Sequence, residues 1–198
     1  MAAQFTKKDL SQLMNALARS VEARGEKMDL YIFGGAAFIL DNQIAREVTS
    51  DVDAFVPNID HRYMLRDLRQ EVAKEQGVSN LWMTINANAN LSAMVAKRDA
   101  YFTPALEELK TSGLSVYVLK PEVQLARKLL ASVSTKQDRG QKDFEDIKKL
   151  AKTLDIKDGP GLIAVWDKHK GKMGESGRTL VEMDDKLKAS TFIKGFRL

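Results

Sequence analysis

The chain of 198 residues contains no cysteine, which excludes disulfides and zinc–thiolate sites and suits a reducing, cytoplasmic setting. Histidine is nearly as scarce: His61 and His169 stand alone, without the spacing of a metal-binding pair. No apolar run approaches the ~18–20 residues of a membrane helix. The opening "MAAQFTKKDLSQL" lacks the basic-then-apolar order of a signal peptide. A soluble chain with no membrane partner is the expectation. There is no Ser/His/Asp or Cys/His set. "GKMGESGRT" departs from the Gly-x-x-x-x-Gly-Lys-Ser/Thr phosphate loop, because Met173 follows Lys172, and it reads as a flexible loop.

Hydrophobic residues make up 44% of the chain, enough for a core, and the net charge is +4. The charge is uneven. Up to residue 119 there are 13 Lys and Arg against 15 Asp and Glu; from 120 on there are 18 against 12. An acidic-leaning first part and a basic second part suit an anionic substrate held over a metal site. A merely solvated basic surface explains the second part equally well.

The hydrophobic pattern predicts a helix opened by Thr6 and Asp9, with Leu10, Leu13, Met14, Leu17 and Val21 at helical spacing and a stop near Gly25. Strands are expected at Asp29–Phe33, Val52–Val56, Leu81–Ile85 and Leu114–Leu119, a helix from Gly34 to Leu40, and another from Asp60 to Gln76. "INANANLSAMVAKRDAYF" reads largely as loop. After Pro121 two helices follow, "PEVQLARKLLAS" and "QKDFEDIKKLAKTL", joined around "TKQDRG"; then come a break at Gly159–Gly161, a helix to about His169, and a last short helix. Two domains are expected: a mixed α/β lobe over 1–119, and a helical lobe over 120–198 with a basic C-terminal tail. Trp82 and Trp166 are expected in the core.

The stretch that carries chemistry is "TSDVDAFV". Asp51 and Asp53 lie two apart on a predicted strand and so share a face. Such a pair is commonly a surface edge, but held close it calls for a cation between the charges. Upstream, a buried strand runs straight into Gly34 and Gly35, which open a helix. Glycines let backbone approach a ligand, and a helix start offers N–H groups to phosphate. Carboxylates beside a phosphate cradle fit metal-assisted phosphoryl chemistry. Arg46 either clamps a phosphate or balances Asp51. Lys128 either reaches a phosphate from an apolar helix side or is one solvated charge among several. Arg139 and Lys142 read as solvated charges beside the candidate site.

"YIFGGAAFIL" followed by "REVTSDVDAFV" resembles the signature of the nucleotidyltransferase superfold with a DNA-polymerase-β-like palm. "LSVYVLKPEVQLARKLLASVSTKQDRGQKDFEDIKKL" resembles the second half of the AbiEii/AbiGii and MenT-like nucleotidyltransferase toxins, so that the likeness covers residues 28–152. It implies an α+β minimal nucleotidyltransferase fold, a mixed sheet flanked by helices, followed by the helical lobe. It implies Gly34 and Gly35 on nucleotide phosphates, Asp51 and Asp53 on magnesium or manganese, and Lys128 as the catalytic lysine holding the triphosphate. Asp143 and Asp146 would be the carboxylates of the Asp-x-x-Asp segment, with Asp146 the functional one. Lys128 and Asp146 are expected to complete the site across the two lobes. The implied activity is transfer of a nucleotidyl group from an NTP to RNA, tRNA in particular, by a toxin of a toxin–antitoxin or phage-defence system with a cognate antitoxin. One departure stands out. Many members carry a third carboxylate on the strand after the Asp-x-Asp pair, and the candidate "LSVYVL" has none. That keeps open a module that binds nucleotide or nucleic acid without chemistry. Transfer to a small molecule or protein is a third reading.

Overall fold

The computed structural model describes residues 4–42, 44, 46–86, 89–134, 140–172 and 177–198. The chain divides into two compact units, Met1–Leu119 and Lys120–Leu198. The fold class is α+β: a mixed five-stranded sheet with helices, then a helical unit.

The first unit opens with α1 (Lys7–Glu22), capped as its sequence predicts: the Thr6 hydroxyl accepts from the Asp9 amide while the Asp9 carboxylate accepts from the Thr6 amide. Then come β1 (Met28–Phe33), α2 (Gly34–Leu40), β2 (Val52–Phe55), α3 (Ile59–Gln76), β3 (Met83–Asn86), α4 (Ala89–Val95), α5 (Arg98–Tyr101), β4 (Phe102–Ala105) and β5 (Leu114–Leu119). The sheet order is β3-β2-β1-β5-β4, with β1 antiparallel to β2 and parallel to β5. Alternation along the strands splits the sheet into two faces. Met28, Leu30, Ile32, Val52, Ala54, Val116 and Val118 enter one core with Leu10, Leu13 and Leu17 of α1 and Leu65, Leu68 and Val72 of α3. The alternate residues Asp29, Tyr31, Phe33, Asp53, Phe55, Ser115 and Tyr117 belong to the other face.

Three sequence expectations for this unit change. The stretch read largely as loop, Ile85–Phe102, contains α4 and α5 and runs into β4. Strand β4 was hidden by Pro104, which only an edge strand tolerates, and β4 is an edge strand, paired to β5 alone. The third strand begins at Met83 rather than Leu81, which is exposed. The strand that follows β2 and lies beside it is β3, not "LSVYVL", which is β5 beside β1.

The second unit contains α6 (Pro121–Ser134), α7 (Gly140–Thr153), α8 (Gly159–His169), α9 (Gly177–Ala189) and α10 (Thr191–Gly195). Its interior holds Leu125, Leu129, Ile147, Leu150, Leu162, Trp166 and Leu187. Trp82 and Trp166 are both core residues, as expected. Gly159–Gly161 is not a break but the first turn of α8. Asp158 caps it by accepting from the Gly161 amide, and Pro160 sits where its missing N–H costs nothing. Gly159 is dictated by packing, since a Cβ there would lie 2.1 Å from the Ile193 carbonyl oxygen.

Candidate active site

The first unit gathers its candidate residues at the end of β1. Phe33 pairs with Asp53 across the β1–β2 ladder, so the Asp53 side chain stands beside the start of α2. Gly34 has φ +69°, and a Cβ on it would come within 3.1 Å of Asp53 Oδ2. Gly35 faces a different wall. A Cβ there would meet Thr49 Oγ1 at 2.4 Å and the Arg46 guanidinium carbon at 3.1 Å. The two glycines therefore differ in purpose: the first allows the left-handed turn against a carboxylate, the second admits a threonine and an arginine. The N-cap of α2 is Phe33, whose side chain has no acceptor to cap the first turn.

Asp51 lies one residue ahead of β2, not within it. Ser50 Oγ donates to its carboxylate at 3.3 Å, and Thr49 Oγ1 donates to its backbone carbonyl at 3.2 Å. Both Asp51 and Asp53 are half-buried. Arg46 Nε donates to the Val48 carbonyl at 3.0 Å. Thr49 is the residue that sequence reasoning missed. It is buried, bridged to Phe5 by backbone hydrogen bonds of 2.7 and 3.0 Å, and wedged between Gly35 and Asp51. Its signal was present as a β-branched hydroxyl residue two positions before the first carboxylate. Opposite Asp53 on β3 stands Thr84, so neither β3 nor β5 brings a third carboxylate.

In the second unit, Lys128 on α6 and Asp143 and Asp146 on α7 form one cluster. Lys128 Nζ is 2.7 Å from Asp143 Oδ1 and 2.9 Å from Asp146 Oδ2, and all three side chains are largely buried. The i, i+3 spacing puts both carboxylates on one side of α7, as the sequence implies. Burial pulls the lysine pKa down, but the hydrogen bonds to Asp143 and Asp146 outweigh it and the net direction is up. The ammonium is thus shared by two carboxylates of its own unit. Arg139 and the side chain of Lys142 lie outside the described residues. Among those described, no group of three His, Cys, Asp or Glu side chains could by itself hold a metal. None of the helices described is long and apolar enough to cross a membrane.

A family model described as "Nucleotidyltransferase of unknown function (DUF6036)" matches residues 8–163, from α1 into α8. Among solved structures, the crystal structure of an antigenic nucleotidyltransferase-like protein from Paracoccidioides brasiliensis is similar at 18% identity and a TM-score of 0.49, over 95% of this chain and 96% of that one. Among curated proteins none matches the chain.

Proposed function

The chain belongs to the family described as nucleotidyltransferase of unknown function, and from that premise we propose that it is a magnesium-dependent enzyme moving a nucleotidyl group from an NTP to an RNA acceptor, tRNA in particular. The observation that carries this reading is the placement of Asp53 against the left-handed Gly34, with Asp51 two residues away. Two half-buried carboxylates suit magnesium, which is usually held by one or two carboxylates together with substrate phosphate oxygens. A Cβ on Gly34 would crowd Asp53 Oδ2 at 3.1 Å, so the glycine keeps that side of the oxygen clear of a side chain of its own. When bound, magnesium would neutralise phosphate charge and make a hydroxyl easier to deprotonate.

In this reaction an acceptor hydroxyl oxygen bonds to the α-phosphorus, the bond to pyrophosphate breaks, and the hydroxyl proton passes to a base. Asp51 and Asp53 would hold the cation. Thr49, fixed by Phe5, positions the backbone of Asp51. Arg46, held by the Val48 carbonyl, is the first unit's candidate partner for a phosphate. Lys128 orients Asp143 and Asp146, and Asp146 is the proposed functional member of that cluster.

Titration of each NTP with and without magnesium tests the metal site. Affinity should depend on magnesium in the wild type and lose that dependence in Asp51→Asn and Asp53→Asn. Transfer of labelled nucleotide to total RNA should fall by roughly a hundredfold or more in Asp53→Asn and in Asp146→Asn. Equal affinity with and without the metal would sink the reading. The toxin role rests on the likeness of residues 28–152; growth arrest on expression, relieved by Asp53→Asn, is its test. One observation favours a binding module without chemistry: the position opposite Asp53 holds Thr84, not a carboxylate. Magnesium-dependent NTP binding without transfer to RNA, a small molecule or the protein itself would select that module.

A further inference from the structure

Helix α3 carries Arg62, Arg66 and Arg69, spaced i, i+4 and i+7, which brings all three to one flank. The acids of the helix are placed elsewhere. Glu71 and Glu75 serve the opposite flank, paired at 2.6 Å each with Arg24, just past the end of α1, and Arg19 of α1. Asp60 and Asp67 fall on the outward side by helical position. The three arginines are met by neutral groups instead. Arg62 donates to the carbonyls of Val56 and Pro57 at 2.8 and 3.0 Å and lies 5.5 Å from the Phe55 ring centroid. Arg69 donates to the Met83 carbonyl at 3.0 Å, while its Nε is buried with no hydrogen-bond partner. Arg66 lies 5.6 Å from the centroid of Tyr63, an aromatic ring that is 58% exposed. Among the described residues no carboxylate pairs with any of the three.

Carbonyls and rings fix a guanidinium in place without cancelling its charge. A buried guanidinium N–H without an acceptor is costly, and an anion would supply the acceptor. The stripe has the charge density of a nucleic acid strand. Three charges span about 10 Å of helix, the length over which one strand of a duplex carries about three phosphates at ~3.4 Å each. An exposed tyrosine beside arginines is also a platform for a base. The stripe lies along β2 and β3, the strands of Asp53 and of its partner Thr84: Arg62 lies over Phe55, two residues along β2 from Asp53, and Arg69 holds Met83, the β3 partner of Val52.

We propose that this flank of α3 holds the phosphate backbone of a polynucleotide acceptor, with Tyr63 stacking on a base. The inference deepens the reading of an RNA acceptor and rests on it, but it locates the interface on the first unit, whose net charge is negative, rather than on the basic second unit.

The test is anisotropy of a fluorescein-labelled single-stranded RNA of mixed sequence, titrated with the full chain across a salt series. Arg66 is exposed, lies over the Tyr63 ring and has no hydrogen bond or ion pair among the described residues, so Arg66→Glu and Arg66→Gln should melt like the wild type. Arg66→Glu should weaken binding about tenfold, and the slope of log affinity against log salt should shrink by ~0.7, the value for one phosphate that the protein no longer neutralises. Arg66→Lys should keep the slope, and Tyr63→Ala should lower affinity without changing it. Magnesium–ATP affinity should be unchanged in all four variants, which separates an acceptor phosphate from a phosphate of the NTP. Because binding is read without turnover, failure of transfer and failure of this surface are distinguishable. Wild-type affinity and slope in Arg66→Glu would overturn the proposal. So would polyglutamate displacing the RNA as well as polyuridylate of equal charge, since the surface would then serve acidic protein.

Discussion

Gly35 and Thr49 compete for the same space. A methyl group on Gly35 would lie 2.4 Å from the Thr49 hydroxyl, and Thr49 is buried and bridged to Phe5, so it has little room to retreat. Gly35→Ala should cost about 1–3 kcal/mol of stability, the usual range for overpacking. It should also weaken NTP binding, because Thr49 passes its displacement to Asp51. Thr49→Ala removes the obstructing oxygen. In that background Gly35→Ala should cost less, and a double-mutant cycle of melts measures the coupling. Additive costs would mean that the two residues do not share this space. Lys128 poses a different problem. Removing it in Lys128→Met strands two largely buried carboxylates, at a cost of about 3 kcal/mol or more near neutral pH. The sign of its pH dependence is fixed by its raised pKa. The stabilisation is fully present below the lysine's ordinary 10.5 and is lost as pH rises through the higher folded value. The gap in stability between wild type and Lys128→Met should therefore hold from pH 7 to about 10 and narrow at more alkaline pH, as melts across that range will show.

Helices α8 and α9 are tied together at one carboxylate. Asp184 on α9 accepts from Trp166 Nε1 on α8 at 2.9 Å, from Lys170 Nζ at 3.1 Å and from Lys188 Nζ at 2.6 Å. The Lys188 hydrogen bond leads, ahead of burial, which opposes it, and with Trp166 and Lys170 the pKa falls to about 2. A depressed carboxylate contributes stability above its unfolded value of 3.8 and loses it as pH falls toward 2. Fluorescence of Trp166, read in a Trp82→Phe background, should therefore report weakening of the α8–α9 packing between about pH 4 and 2. Asp184→Asn should lack that acid step and be less stable at pH 7. An unchanged acid transition would mean that Asp184 does not tie the two helices. The same element scale explains β4. Its sequence "FTPA" offers no strand signal strong enough to outweigh proline, and it exists because β5 supplies a ladder on one side while solvent tolerates the missing N–H on the other.

For the molecule as a whole, charge and family point to different places. The positive excess lies in residues 120–198, whereas the uncompensated arginines of the first unit sit on one flank of α3 within a negative total. Net charge per domain misses such a stripe, because acids placed elsewhere cancel it in the count, among them Glu71 and Glu75, which pair with Arg24 and Arg19 on the other side of the helix. The family match ends at residue 163, inside α8, while the core of the second unit continues through Trp166, Leu187, Ile193 and Phe196. The last 35 residues thus complete the packing of their unit beyond the matched segment.

The sequence by itself determined the elements whose residues speak locally: the capping box at Thr6 and Asp9, the amphipathic α1 and α3, the strands β1 and β5, and the Gly-Gly and Asp-x-Asp pairs with their order along the chain. Each is written in spacings of two to four residues, where backbone geometry leaves few choices. Only the tertiary structure decided that β3 rather than β5 lies beside the carboxylate strand, because strand order depends on long-range pairing. Only it separated the tasks of Gly34 and Gly35, brought Thr49 into the site, and put Asp143 and Asp146 on the ammonium of Lys128. In each of these cases the partner lies 14 to 19 residues away along the chain or on another strand, and no local pattern encodes an interaction that exists only once two elements have packed.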